Sequence, residues 1–201
     1  MRRSILSILA LTLALSGLAV AQSLTPAPVS TVDLSERPVA SNPGPQSQLR
    51  LGDALYTGHF RVNDETGLMT GELEIRWDNG SRFQGRLVDG KRQGQGRFTW
   101  PDGQYYDGDW RDNQATGQGV IQYANGDRYT GLVRDGVPDG EGEKRYAPRG
   151  ERYEGSWRAG LREGEGRFTW ASGQSYTGRW QADEPEGEGL LNYPNGDSYR
   201  G

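Results

Sequence analysis

The chain has 201 residues, of which 33% are hydrophobic and 25% charged, with 31 glycines, no cysteine and a formal net charge of −4. Without cysteine there is no disulfide, no thiol nucleophile and no thiolate metal site, and a single histidine, His59, excludes a multi-histidine site. The acidic balance gives no electrostatic reason to expect nucleic acid, and an apolar share below the usual ~45–50% excludes a thick aliphatic core.

Residues 1–21 read as a secretory signal. Arg2 and Arg3 form a short basic start, Ile5 to Val20 an apolar run, and Ala19-Val20-Ala21 an A-x-A cleavage signal, so cleavage is expected after Ala21. The run is shorter than the roughly 20 residues a span requires, and Ser7, Thr12, Ser16 and Gly17 dilute it. The signal implies export, to a periplasm or the exterior. Residues 22–48 are rich in Pro and Ser, lack aromatics and show no apolar period, which is the composition of a disordered linker.

Beyond the linker the sequence matches itself at an offset of 23. The copies are 82–104, 105–127, 128–151 (one residue longer), 152–174 and 175–197, with a partial copy at 198–201. A degenerate N-terminal capping repeat occupies 49–81; its best alignment, from His59, keeps Phe60, Gly67, Gly71, Trp77 and Gly80. Pro101-Asp102-Gly103, Asn125-Gly126, Asn195-Gly196 and Asn79-Gly80 are turn signals. Apolar and polar residues alternate on both sides of them, as in Phe98/Trp100 against Arg97/Thr99. That is the period of strands, so each copy is a β-hairpin, with the G-x-G stretch expected in the connection to the next.

One face of these hairpins carries three ladders. The first is Phe60, Phe83, Tyr106, Tyr129, Tyr153, Tyr176 and Tyr199; the second Trp77, Trp100, Tyr123, Tyr146, Trp170 and Tyr193; the third Leu87, Trp110, Val133, Trp157 and Trp180. Gly85, Gly108, Gly131, Gly155 and Gly178 share that face, where a ring can lie over a glycine. The opposite face is polar.

The unit [YF]-x-G-x5-8-G-x-G-x-[FILK]-x-[YW]-x2-3-G resembles the MORN (membrane occupation and recognition nexus) repeat. The resemblance covers about 140 residues in five good copies and one poor one. It implies an all-β fold, an elongated, single-layer antiparallel sheet of repeated hairpins. It also implies a scaffold or dimerisation role, or contact with membrane lipid. The family repeat also occurs fused to lipid kinases, but this sequence has no kinase motif.

No catalytic set is present, so the chain is read as non-enzymatic and without cofactor. The G-x-G pairs lack the third glycine and following helix of a nucleotide loop. Glu141, Glu165 and Glu188 recur two strands apart, about 9–10 Å, too far for one ion. His59 has no companion residues. The leading function is an exported scaffold binding a protein partner or a second copy of itself. Two alternatives stand beside it. Arg111, Arg134 and Arg158 occupy one equivalent position and are candidate contacts for anionic phospholipid head groups, though acidic residues interleave. The second ladder, Trp77 to Tyr193, is a candidate binding face, for a peptide or for a cell-wall glycan.

Overall fold

A computed structural model describes residues 46–201, so the expected export signal and all but the last three residues of the expected linker lie outside the described residues. Among the described residues there are fourteen strands and no helix: β1 (Gln46–Leu51), β2 (Ala54–Val62), β3 (Met69–Trp77), β4 (Arg82–Val88), β5 (Lys91–Thr99), β6 (Tyr105–Arg111), β7 (Gln114–Gln122), β8 (Arg128–Arg134), β9 (Val137–Tyr146), β10 (Glu151–Arg158), β11 (Leu161–Thr169), β12 (Ser175–Gln181), β13 (Glu184–Asn192) and β14 (Ser198–Arg200). Residues 46–48 therefore belong to β1.

The described chain divides into two compact units between Ala124 and Asn125. In the first, neighbouring strands pair antiparallel in chain order from β1 through β7; in the second, they do so from β8 through β14. This is the all-β, single-layer hairpin architecture that the repeat implied.

Two kinds of turn alternate. The expected one is closed by backbone bonds such as Gly103 N–H to Trp100 O (3.0 Å) and Gly173 N–H to Trp170 O (2.9 Å), with Asp102 Oδ1 accepting from Gln104 N–H at 3.0 Å. The second kind went unread in the sequence. Asp89-Gly90, Asp112-Asn113, Asp135-Gly136, Ala159-Gly160 and Ala182-Asp183 all have positive φ at both residues, the geometry of a two-residue I′ hairpin turn.

The G-x-G stretches are consequently not connections. They lie inside β5, β7, β9, β11 and β13. The two glycines have different tasks. The first of the pair, as at Gly117 (φ 68°), takes the positive φ that accompanies a slip in register between paired strands. The second makes room for a ring: a Cβ on Gly166 would lie 2.2 Å from the Tyr153 hydroxyl oxygen.

In the first unit the register sets Tyr56, Ile75, Phe83, Phe98, Tyr106 and Ile121 side by side across β2 to β7. Gly58, Leu73, Gly85, Gly96, Gly108 and Gly119 form the neighbouring row. The first ladder therefore begins at Tyr56 and not at Phe60. Phe60 is level with Gly71 and Leu87 and belongs to the third ladder. The cause is the loop 63–68, four residues longer than the two-residue turns, which stretches the first spacing from 23 to 27. In the second unit the corresponding rows are Tyr129, Lys144, Tyr153, Phe168, Tyr176 and Leu191, beside Gly131, Gly142, Gly155, Gly166, Gly178 and Gly189.

Candidate binding face

Rings and glycines together seal the centre of each sheet. Tyr56, Phe83, Tyr106, Tyr129, Tyr153 and Tyr176 have no exposed surface. An unpaired buried hydroxyl costs about 1–3 kcal/mol; Tyr176 Oη has no hydrogen-bond partner among the described residues, whereas three others are paired with backbone carbonyls. Tyr106 Oη donates to Asp109 O (3.0 Å) and Thr116 O (2.8 Å), Tyr129 Oη to Leu132 O (2.7 Å) and Tyr153 Oη to Ser156 O (3.0 Å). Burial pushes the hydroxyls of Tyr106 and Tyr153 well above the ordinary tyrosine range. The indoles of the third ladder stand edge-on to these rings, as in Tyr153–Trp157 (5.0 Å, 89°) and Tyr106–Trp110 (5.4 Å, 76°). Trp110 Nε1–H is satisfied by Gly96 O at 2.8 Å.

The second ladder lies at the mouths of the expected turns, and there the cover thins. In the first unit Trp77 is buried while Trp100 and Tyr123 are half-buried. In the second, Tyr146 is buried, Trp170 is half-buried, and Tyr193 at 37% is the one large hydrophobic residue that counts as exposed among the described residues. These rings rest on the sealed ones: Trp100 on Phe98 at 4.6 Å and Trp170 on Phe168 at 4.9 Å. The N–H groups of Trp100, Trp170 and Tyr193 close these turns, donating to Gln104 O, Gln174 O and Asp197 O at 2.9 Å each. Such preorganised Trp and Tyr side chains carry little entropy cost on binding.

The sequence reading assigned charge to the opposite face and missed three buried cations among the rings. Arg92 is 1% exposed, with its guanidinium carbon 5.1 Å from the Trp110 ring and 5.4 Å from that of Phe98. Burial lowers its pKa to about 10, partly offset by Tyr56, so it stays charged at neutral pH. Arg162 stands at the equivalent place in the second unit, 4.3 Å from the Trp180 ring. Its Nε donates to Asp183 Oδ1 at 3.0 Å and its Nη2 to Asp183 O at 2.8 Å. Opposite Arg92 the matching residue is Asn113, whose Oδ1 accepts the Arg92 backbone N–H at 2.9 Å.

Lys144 fills the ladder position between Tyr129 and Tyr153. Its ammonium is 3.7 Å from Asp127 Oδ2 and 5.1 Å from the Tyr146 ring. Burial lowers its pKa, and Asp127 opposes that shift. A Lys in a row of Phe, Ile and Leu was the available sequence signal.

The remaining candidates lie apart from this face. Arg111, Arg134 and Arg158 are exposed at the ends of β6, β8 and β10, and Arg134 pairs with Asp139 at 3.2 Å. Glu141, Glu165, Glu188 and His59 are exposed. Among the described residues no three His, Cys, Asp or Glu side chains are grouped to hold a metal ion.

Comparison with known proteins bears on the repeat. The family model described as MORN repeat matches five stretches, residues 83–105, 106–128, 129–150, 153–175 and 176–198, together more than half the chain. No curated protein matches the sequence. Among solved structures, the chain is similar to the SAS-4 (dCPAP) TCP domain of Drosophila melanogaster, solved in complex with a proline-rich motif of Ana2 (dSTIL). The identity is 15% and the TM-score 0.43, over 84% of this chain and 98% of that one. It is also similar to the G-box domain of the microcephaly protein CPAP, at 15% identity and a TM-score of 0.26, over 79% and 98% of the two chains. At such TM-scores neither likeness bears on function.

Proposed function

The chain belongs to the MORN-repeat family, and from that premise we propose that it is a non-enzymatic scaffold, exported to the cell envelope, that binds a protein partner through the turn-mouth ring row. One observation carries the reading. The rings are sealed along the centre of each sheet, yet Trp100 and Tyr123 in one unit, and Trp170 and Tyr193 in the other, keep accessible surface on rigid turns. Trp and Tyr are the residue types that dominate protein-interface energetics. The export half of the proposal rests on the apolar run Ile5 to Val20 and the A-x-A at 19–21.

In-cell cross-linking of the tagged chain, followed by mass spectrometry, tests it. The expected result is one or a few reproducible envelope proteins whose capture is lost in a Trp170→Ala/Tyr193→Ala variant that still folds. Capture of nothing proteinaceous, or capture unaffected by that variant, overturns the reading and moves weight to phospholipid or wall glycan.

A further inference from the structure

The turn-mouth row of the second unit combines a fixed ring spacing with hydrogen-bond donors that the fold leaves unused. On the premise of the ring-row reading above, we propose that Trp170 and Tyr193 seat an uncharged polyproline II segment of a partner protein, with proline at every third position.

The spacing comes from the fold. Trp170 directly follows β11 and Tyr193 directly follows β13, so the two stand at the same place on successive hairpins, two strands apart, about 9.5 Å. One turn of polyproline II is three residues at ~3.1 Å, about 9.3 Å. A segment lying across the strands therefore meets both rings with residues i and i+3. Two contacts need a single turn of it, so the twist of the sheet enters over one step only. The turns beside the rings also touch. A Cβ on Gly173 would lie 3.6 Å from Pro194 Cγ, so the turn after Trp170 packs against the turn after Tyr193 and keeps the interval.

The chemistry of the row fits that occupant. A chain in polyproline II makes no internal backbone hydrogen bonds, so its carbonyls take donors from outside. Here the second ladder differs from the third. Trp157 Nε1–H donates to Gly142 O at 3.0 Å and Trp180 Nε1–H to Gly166 O at 3.2 Å. Among the described residues the Trp170 indole N–H and the Tyr193 hydroxyl have no such acceptor, and neither is enclosed. Each residue thus offers an apolar ring with an unused donor at its edge. Aromatic-lined surfaces of this kind take Pro-rich segments, whose preformed conformation leaves little entropy to lose on docking. The adjoining turn residues Ala171, Ser172, Pro194 and Asn195 carry no charge, and Asp197 accepts from Asn195 Nδ2 at 2.8 Å. An uncharged segment therefore matches the rim.

The test uses the whole chain labelled with 5-fluorotryptophan, and fluorine NMR. The probe is a synthetic peptide of three Pro-Ala-Gln triplets; the control is a scrambled peptide of the same composition in which no prolines are three apart. The expected result is a saturable shift of the Trp170 signal with Trp157 and Trp180 unmoved, and binding about tenfold weaker for the scrambled peptide. Tyr193→Ala should weaken the probe by about tenfold while the Trp157 and Trp180 signals stay in place, which reports an intact sheet. Trp170→Phe keeps a ring and loses the donor, and should weaken the probe several-fold by calorimetry. Equal binding of the two peptides overturns the proposal, because the spacing is then not read. So does an unmoved Trp170 signal at millimolar probe, or a response to a wall-glycan fragment in place of the probe. A Trp170 signal that shifts with protein concentration alone also overturns it, because the occupant is then a second copy. If the Trp170→Ala/Tyr193→Ala variant loses captured partners while the probe gives no response, the scaffold reading stands and this one falls.

Discussion

Gly166→Ala puts the packing of ring on glycine to a direct test. The residue has ordinary φ, so the methyl costs nothing in backbone strain, and its whole effect is steric. An ideal Cβ there would lie 2.2 Å from Tyr153 Oη and 2.5 Å from Cε2 and Cζ of the same ring. Tyr153 is fully buried, wedged edge-on between Trp157 at 5.0 Å and Trp180 at 5.3 Å, so it has nowhere to move. Overpacking of this kind costs about 1–3 kcal/mol. Displacing the hydroxyl also breaks its bond to Ser156 O, another ~1 kcal/mol. Urea unfolding followed by tryptophan fluorescence should therefore show a loss of about 2–4 kcal/mol. The first repeat supplies the control. Phe83 lies over Gly96 without a hydroxyl, and its ring atoms would be 2.9 Å from the added methyl. Tyr153→Phe should thus recover part of the loss, giving a coupling of about 1 kcal/mol in a double-mutant cycle. A Gly166→Ala variant within ~0.5 kcal/mol of the parent would refute the view that these glycines are kept by the rings above them.

Ala159 holds φ 49° beside Gly160, and Ala159→Asn, which gives the favoured I′ turn pair, should raise stability by about 0.5–1 kcal/mol in the same assay. Asp127→Asn should cost about 3 kcal/mol because it removes the carboxylate 3.7 Å from the buried Lys144 ammonium, whereas Asp127→Asn with Lys144→Met should be near neutral or stabilising. Burial pushes Tyr146 up to about 12 from 10.0, above its unfolded value. The stability it contributes is therefore complete below pH 10 and is lost as pH rises through about 12. Absorbance at 295 nm should show late tyrosine ionisation coincident with loss of the fold, and smooth titration of every tyrosine near 10 would contradict it.

Much of this fold is written in the residues themselves. Alternation at period two, turn dipeptides and a 23-residue repeat determine strands, their antiparallel order and which face carries the rings, because each is a local or nearest-neighbour property. The candidate ring row was legible for the same reason. What the sequence alone left open depends on register. Sliding by 23 placed Phe60 in the first ladder, because a four-residue longer loop is invisible to a fixed offset; pairing places Tyr56 there instead. The G-x-G glycines looked like connections, since glycine marks turns and ring seats alike, and only the ring lying over Gly166 tells them apart. Arg92, Arg162 and Lys144 read as surface charge by residue type. Tertiary structure makes them interior, because a cation enclosed by rings, and for Arg162 and Lys144 met by Asp183 and Asp127, is tolerated where an isolated one is not, and Trp110, Asp127 and Asp183 stand 17 to 21 residues away from Arg92, Lys144 and Arg162 in the chain.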